Sequence, residues 1–398
     1  MKRMKWLSLL LAFAMLFVLF TGCSGGGDTV KVGLIAPLTG GVAVYGTSVQ
    51  KAVELYVEQF NAAGGVNGKN IELIEYDDKG EAAEALNAYN KLVSSDGVVA
   101  IIGPVTSGPT FGVAEASMKD NIPCITATAT HPDVTQKYGD NYFRACFEDP
   151  FQGGAITTFA AQNLDAKTAA IIYNTSDNYS TGLKDSITAK AQELGLEIVA
   201  TEGYGKDDVD FNAQLTNIIA KNPEVLFIPE YYNNAYLICS QARSLGFTGT
   251  FLGVDGADGV LTIEGADVTV FDGMYFANHY AADDTAANVQ DFIQQFKEKY
   301  DGETPNSFAA LGYDSAKILF EALKQVDTAA ANAESASASN VVPLGATPES
   351  YAAVLEALKK TDMDCITGHI TFDENNNPIK ECTIIGIEDG AYHYETKI

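Results

Sequence analysis

The chain has little positive charge. Against 52 Asp and Glu stand only 25 Lys and Arg, a formal net charge of −27. Such a surface repels nucleic acid and anionic lipid, and counts more weakly against polyanionic ligands. The charges are scattered rather than blocked, so most form a solvated exterior. Tryptophan is nearly missing: Trp6 is the only one, and it lies in a stretch that reads as a removable leader. Cysteine supplies no framework. Cys124, Cys146, Cys239, Cys365 and Cys382 contain no CxxC pair, and a disulfide among them is neither specified nor excluded. Cys124 and Cys382 sit in apolar, strand-like runs and read as small core residues. The four histidines, His131, His279, His369 and His393, are dispersed without metal-ligand spacing. No metal and no cofactor is expected. There is no GxSxG elbow. "GGVNGKN" imitates a phosphate loop but lacks its spacing and the Ser or Thr after Lys69. "DENNNP" from Asp373 has the look of a calcium loop, yet Pro378 stands where that loop needs Gly, so a hairpin turn is expected. A Ser107–His131 pair is the one catalytic pairing on offer, which leaves an enzyme as the last of the readings.

The N-terminus carries a leader. "MKRMKW" is a basic start, and "LSLLLAFAMLFVLF" is apolar but short for a membrane span. "FTGCSGGGD" resembles a bacterial lipoprotein signal, in which Cys23 becomes the lipidated N-terminus. Phe20 departs from the usual Leu there, and plain secretion is the alternative. Residues 1–22 are thus expected to be a signal peptide and 23–29 a flexible tether. No later segment is long and apolar enough to cross a membrane.

From Val30 onward strand and helix alternate. "VKVGLIAP", "KNIELIEYDD", "GVVAIIGP" and "IPCITATAT" read as strands, with helices over "TSVQKAVELYVEQFNAA", "EAAEALNAYNKLV" and "PTFGVAEASMKD" between them. The pattern restarts at "AITTFAAQNL" and runs through strands "TAAIIYNT", "EIVATEGY", "EVLFIPEYY" and "GTFLGVDGA". Repeated βα units predict α/β architecture with parallel sheets and helices on both faces. The last third adds strand "MYFANHY", three helices, and two closing hairpins at "ITFDENNNPI" and "CTIIGIEDGAYHYE". The Ala/Ser-rich stretch "DTAAANAESASASNVVPLGATP" is expected to be a surface loop.

Ligands of open α/β sheets sit beyond the carboxyl ends of the strands. Those ends supply Tyr45, Ser107 at a helix start, Thr128 and Thr130 from "ITATATHPD", Tyr179, Tyr231 and Asp255. The set holds hydroxyls, aromatics, one helix N-terminus and one carboxylate, and no Lys or Arg. It suits a zwitterion. Ser107 and helix N–H groups would hold a carboxylate, with Thr128 and Thr130 adding an N–H and a hydroxyl. Asp255 would take an ammonium. Tyr45, Tyr179, Tyr231 and Phe308 would wall an apolar side chain. Each residue has a plainer use: Ser107 as an N-cap, a lone Tyr as packing, Asp255 as a turn residue. Only their joint placement is informative. Thr126 is deeper in the strand and reads as structural.

Together with "FNAAGGVNGK", "IIGPVTSG", "YFRACF", "NTSDNYSTG", "PEYYNNA", "GYDSAKIL" and "ITFDENNNP", these residues make the chain resemble a type I periplasmic binding protein of the leucine/isoleucine/valine-binding kind. The resemblance implies two doubly wound α/β lobes joined by a three-segment hinge, with crossings near Glu148, Asn278 and Cys382. The lobes would be 30–147 with 279–382, and 148–278 with 383–398. It also implies a monomeric receptor, tied to the membrane only by lipid, that closes on a neutral, aliphatic amino acid and delivers it to ABC permease subunits. By this resemblance Ser107 and Thr130, with backbone from Thr128, match the carboxylate site, and Asp255 the ammonium acceptor. There are departures. Asp255 stands where the branched-chain binders carry Glu. Glu230 occupies a place where a small residue is common; it either faces the cleft or, as the plainer reading, points to solvent. The family's early disulfide is missing, with Lys79 and Thr106 at those places. A sensor of the same fold, signalling through a partner, and a binder of amides, aromatic or polar amino acids are the alternatives.

Overall fold

The computed structural model describes residues 29–138, 141–335 and 342–398. The leader, Cys23 and nearly all of the tether lie outside the described residues, as does part of the Ala/Ser-rich stretch.

The first sheet holds β1 (Val30–Ala36), β2 (Ile71–Asp77), β3 (Ala100–Ile102), β4 (Cys124–Thr126) and β5 (Tyr142–Arg144), in the order β2-β1-β3-β4-β5, all parallel. Helices α1 (Ala43–Ala62), α2 (Ala82–Lys91), α3 (Ser107–Asp120) and the short α4 (Asp133–Gln136) connect them. The strands read as near-continuous apolar runs because a parallel sheet is covered on both faces. Ala100, Ile101 and Ile102 are fully buried.

The second sheet is built the same way from β6 (Thr168–Asn174), β7 (Glu197–Tyr204), β8 (Val225–Ile228), β9 (Thr250–Gly253) and β10 (Met274–Asn278). Two antiparallel strands, β13 (Thr383–Glu388) and β14 (Ala391–Lys397), extend it to the order β14-β13-β10-β9-β8-β6-β7. Its helices are α5 (Asp149–Gln162), α6 (Asn178–Leu194), α7 (Asn212–Ile219) and α8 (Tyr232–Ser244). Local chemistry sets the ends. The Asp177 side chain accepts the Ser180 N–H to start α6, and Gly195, at φ 73°, stops it.

After β10 the chain returns to the first unit with α9 (Ala287–Lys299), α10 (Ser307–Ser335) and α11 (Pro348–Leu358), and a hairpin of β11 (Asp362–Cys365) and β12 (Gly368–Thr371). α10 lies on α1 so closely that a Cβ at Gly312 would sit 2.9 Å from the Val49 backbone. Between the two units the connecting strands touch one another. The His279 ring stacks on Phe147 at 3.7 Å, and Lys380 Nζ donates to the Ala145 carbonyl at 3.2 Å.

Four expectations need correction. β4 ends at Thr126, so Thr128 and Thr130 are not strand residues. Their alternation reflects local bonding instead: Thr126 and Thr128 hydroxyls donate back to the carbonyls of Pro104 and Val105, each at 2.6 Å. Tyr45 lies within the first turn of α1, not before it. The Ala/Ser-rich stretch is helical as far as Ser335, because Ala is the strongest helix former. β12 pairs with the preceding β11. The "DENNNP" segment then closes its own turn, with Asp373 Oδ1 accepting the N–H groups of Asn375 and Asn377 and a single bridge from Phe372 to Pro378.

Candidate functional site

The carboxyl ends of both sheets face one another across the cleft. Val105, Thr106, Ser107 and Thr128 from the first unit meet Tyr179, Tyr231, Asp255 and Gly256 from the second, with Phe308 at the start of α10. Six of the eight residues expected at the site therefore line one cavity: Ser107, Thr128, Tyr179, Tyr231, Asp255 and Phe308. Its volume is about 10 Å³, far below the 300 Å³ or more of an ordinary ligand pocket. The units are drawn together side chain against side chain, so a ligand enters only when they part.

Tyr45 and Thr130 stand behind this lining. Tyr45 is fully buried, and its ring stacks on Phe308 at 4.0 Å and 10°. Its hydroxyl donates to the Gly256 carbonyl at 2.5 Å and accepts the Tyr232 N–H at 2.9 Å. Gly46 makes that placement possible, since a Cβ there would meet the Pro37 carbonyl at 2.1 Å. Thr130 is buried beside Asp149: its carbonyl accepts the Asp149 N–H at 3.0 Å, and its hydroxyl faces the Asp149 carboxyl outside ideal hydrogen-bond geometry.

Ser107 opens α3 and is 1% exposed. Thr106 sits at the N-cap position with extended backbone and no capping side chain, so the first-turn N–H groups have no side-chain acceptor from it. Ser107 Oγ accepts the His131 N–H at a long 3.4 Å. A hydroxyl and a helix N-terminus aimed into a cleft form a seat for an anion.

Asp255, just past β9, faces this seat. Its Oδ1 accepts from the Tyr179 hydroxyl at 2.5 Å, and its Oδ2 lies 3.3 Å from His279 Nε2. The Tyr179 hydroxyl in turn accepts the Gly256 N–H at 2.9 Å. Gly256 is needed here: a Cβ would sit 2.8 Å from the Tyr179 hydroxyl and 2.7 Å from the Glu230 carbonyl. Burial, and then the Asp255 charge, pushes the Tyr179 phenol well above its ordinary range, so it stays a donor. Burial pulls His279 down to about 4, so its ring is neutral.

Three residues of this network were missed by the sequence reading. His279 is one of the dispersed histidines, but it follows the end of β10, a position the strand-end rule covers. Gln152 and Asp149 lie at the start of α5. Gln152 accepts the Asp255 N–H at 3.2 Å and donates to Asp149 Oδ1 at 3.1 Å. No sequence signal marks either. The solvent-facing reading of Glu230 is also corrected. Glu230 is 1% exposed, its Oε1 accepts the Tyr231 N–H at 2.8 Å, and its Oε2 accepts from the Tyr204 hydroxyl. Burial pushes its carboxyl up to about 7.

A family model described as periplasmic binding protein matches residues 29–391. The chain belongs to the periplasmic binding protein family. It is similar to the Leu/Ile/Val-binding protein BraC3 of Rhizobium johnstonii, at 33% identity over 57% of this chain and 61% of that one. That match spans about three fifths of the relative's length. A longer match, 29% identical over 92% of this chain and 91% of the other, is to the leucine-, isoleucine-, valine-, threonine- and alanine-binding protein of Pseudomonas aeruginosa. Among solved structures, the branched-chain amino acid transporter substrate binding protein LivJ of Streptococcus pneumoniae, in complex with isoleucine, is 31% identical. It superposes with a TM-score of 0.81 over 93% of this chain and 100% of that one. Both the resemblance and the two-lobed type I fold expected from the sequence are met. Members of this family are substrate-binding proteins rather than enzymes, and among the described residues no helix is long and apolar enough to cross a membrane.

Proposed function

We propose that this chain is an extracytoplasmic solute-binding protein that captures a neutral, aliphatic α-amino acid between its lobes and delivers it to an ABC permease. The observation that carries the reading is the pairing across one cavity of an anion seat, Ser107 at the α3 N-terminus, with an opposed carboxylate, Asp255. The cavity lining contains no Lys or Arg. Ser107 Oγ, first-turn N–H groups and Thr128 backbone hold the ligand carboxylate. Asp255 receives its ammonium, with Tyr179 and His279 fixing the acceptor. Tyr231 and Phe308 wall the side chain, with Tyr45 backing Phe308, and burying that side chain contributes roughly 1.5–3 kcal/mol. Thr130 supports the seat from behind. The relatives named for Leu, Ile and Val binding support the aliphatic reading.

The lobes in this reading are 30–147 with 279–382, and 148–278 with 383–398. Residues 1–22 are the signal peptide, Cys23 carries the lipid, 23–29 form the tether, and the protein acts as a monomer. Mass analysis of the membrane-extracted N-terminal peptide tests the lipid directly, with a diacylglyceryl-modified Cys23 expected.

A thermal-shift screen of the leaderless protein against the common amino acids tests the ligand. A true ligand at a hundredfold excess over its Kd stabilises by about 2.7 kcal/mol. Leucine, isoleucine and valine are expected to raise the melting temperature, and no response to any amino acid sinks the reading.

A further inference from the structure

The seat described above leaves a second interlobe cavity unused. It has a volume of about 550 Å³ and shares Thr106 and Tyr231 with the seat. The first lobe supplies Lys79, Glu81 and their neighbours, and the second supplies Asn174, Asp177, Lys206 and Glu230. Both lobes line it, as they line the seat, but it stays open to solvent past the exposed Lys79, Glu81 and Lys206.

The charges lining it are unequal in what they have left to offer. Lys206 is paired with Glu81 across the cleft at 2.9 Å, and Lys79 with Glu84 at 3.6 Å. Among the described residues neither Asp177 nor Glu230 forms a salt bridge. Asp177 accepts the Ser180 N–H, and Glu230 is fixed by Tyr204 and the Tyr231 N–H. Glu230 is buried, Asp177 is half-buried, and the Asp177 charge acts on the Glu230 carboxyl, an arrangement that favours a cation beside them. Tyr231 divides the two cavities, its ring stacked on Tyr179 at 4.9 Å.

We propose that this outer cavity is a side-chain subsite, admitting an α-amino acid whose side chain passes Tyr231 and ends in a cationic nitrogen faced by Glu230 and Asp177. Such ligands bind alongside the aliphatic class, and the proposal rests on Ser107 and Asp255 holding the α-carboxylate and α-ammonium. Glu230 then acts as a specificity residue. The groups facing it are Asp177 before α6, Tyr204 on β7, Tyr231, and Asn234 on α8. Burial holds its carboxyl up at about 7, and a cation favours the ionised form. Binding of a cationic side chain releases a proton, so affinity rises with pH through 7. Asp149 titrates as well, but it acts on every ligand alike, and the ratio of two ligands cancels it.

Isothermal titration of the leaderless protein with L-leucine, L-norleucine, L-ornithine and L-lysine tests this, in wild type and Glu230→Gln. Lysine or ornithine is expected to bind more tightly than norleucine. Glu230→Gln should weaken them by about tenfold or more while moving leucine less than about twofold. The lysine-to-leucine affinity ratio should climb from pH 6 to 8 in wild type and stay flat in the variant. Leucine binding with no lysine or ornithine binding overturns the subsite alone, as does an equal loss for all ligands in Glu230→Gln. If no α-amino acid binds, the seat reading fails and the subsite falls with it.

Discussion

Tyr45 on the first lobe donates its hydroxyl proton to the Gly256 carbonyl of the second at 2.5 Å, and accepts the Tyr232 N–H of that lobe at 2.9 Å. One phenol therefore satisfies two backbone groups that face water only when the lobes part. Parting the lobes would break both bonds, which would couple them to ligand affinity rather than to the stability of either lobe.

Tyr45→Phe keeps the ring and its stack on Phe308 and removes both bonds. Leaving buried backbone groups unpaired costs about 1–3 kcal/mol in the closed state. The dissociation constant for leucine should rise by about 5- to 150-fold. The melting temperature of the ligand-free protein should move little. Titration calorimetry and calorimetric melting separate the two, and an unchanged affinity would remove Tyr45 from the closure mechanism.

Asp255→Asn tests the ammonium acceptor with the shape kept. Tyr179, His279 and Gln152 can all still bond an amide or its backbone. A charge-assisted bond is worth about 1.5–3 kcal/mol, so affinity for any α-amino acid should fall by about tenfold or more. Asp255→Ala should abolish binding with the fold retained, as judged by far-ultraviolet circular dichroism. Full binding by either variant places the ammonium elsewhere.

Much of this was legible from residues alone, for physical reasons. Parallel strands such as Val225–Ile228 advertise themselves as short apolar runs, and the strand-end rule then points to Ser107, Tyr179, Tyr231 and Asp255. What could not be read was the network behind them. Gln152 reaches Asp255 across 103 residues and links it to Asp149, and no local pattern records such a contact. Thr126, Thr128 and Thr130 alternate as strand residues do, yet β4 ends at Thr126, and the Thr126 and Thr128 hydroxyls bond back to the turn after β3. Glu230 looked like a surface carboxylate because its partner Tyr204 lies on another strand.

The Lys206–Glu81 pair also bridges the lobes, but its side chains are 62% and 54% exposed. Exposed pairs contribute roughly 0.2–1 kcal/mol and are screened by salt. Lys206→Ala should therefore weaken leucine binding by at most about fivefold at low salt, and by nothing measurable near 0.5 M. Titrations at both ionic strengths decide it. A large loss that persists in high salt would make this pair, rather than Tyr45, the principal latch.

Asp149 gives a pH dependence whose sign follows from its surroundings. Burial pushes its carboxyl up to about 8; the Asp255 charge adds to that, and Thr130, Gln152 and Arg144 oppose it. In the unfolded chain it returns to roughly 3.9. The native state thus holds this proton more tightly than the unfolded state throughout that range. Its contribution is fully present below about pH 4 and is lost as pH rises through 8. Asn mimics the neutral acid, keeping an oxygen for Gln152 and offering an N–H toward Thr130. Wild type should therefore lose stability relative to Asp149→Asn as pH rises from 5 to 8.5, by at most about 1.4 kcal/mol per pH unit. Urea unfolding of both proteins across that range measures the difference. Parallel curves would mean that the native carboxyl ionises as easily as the unfolded one, and that the hinge end of α5 is wetter than its burial implies.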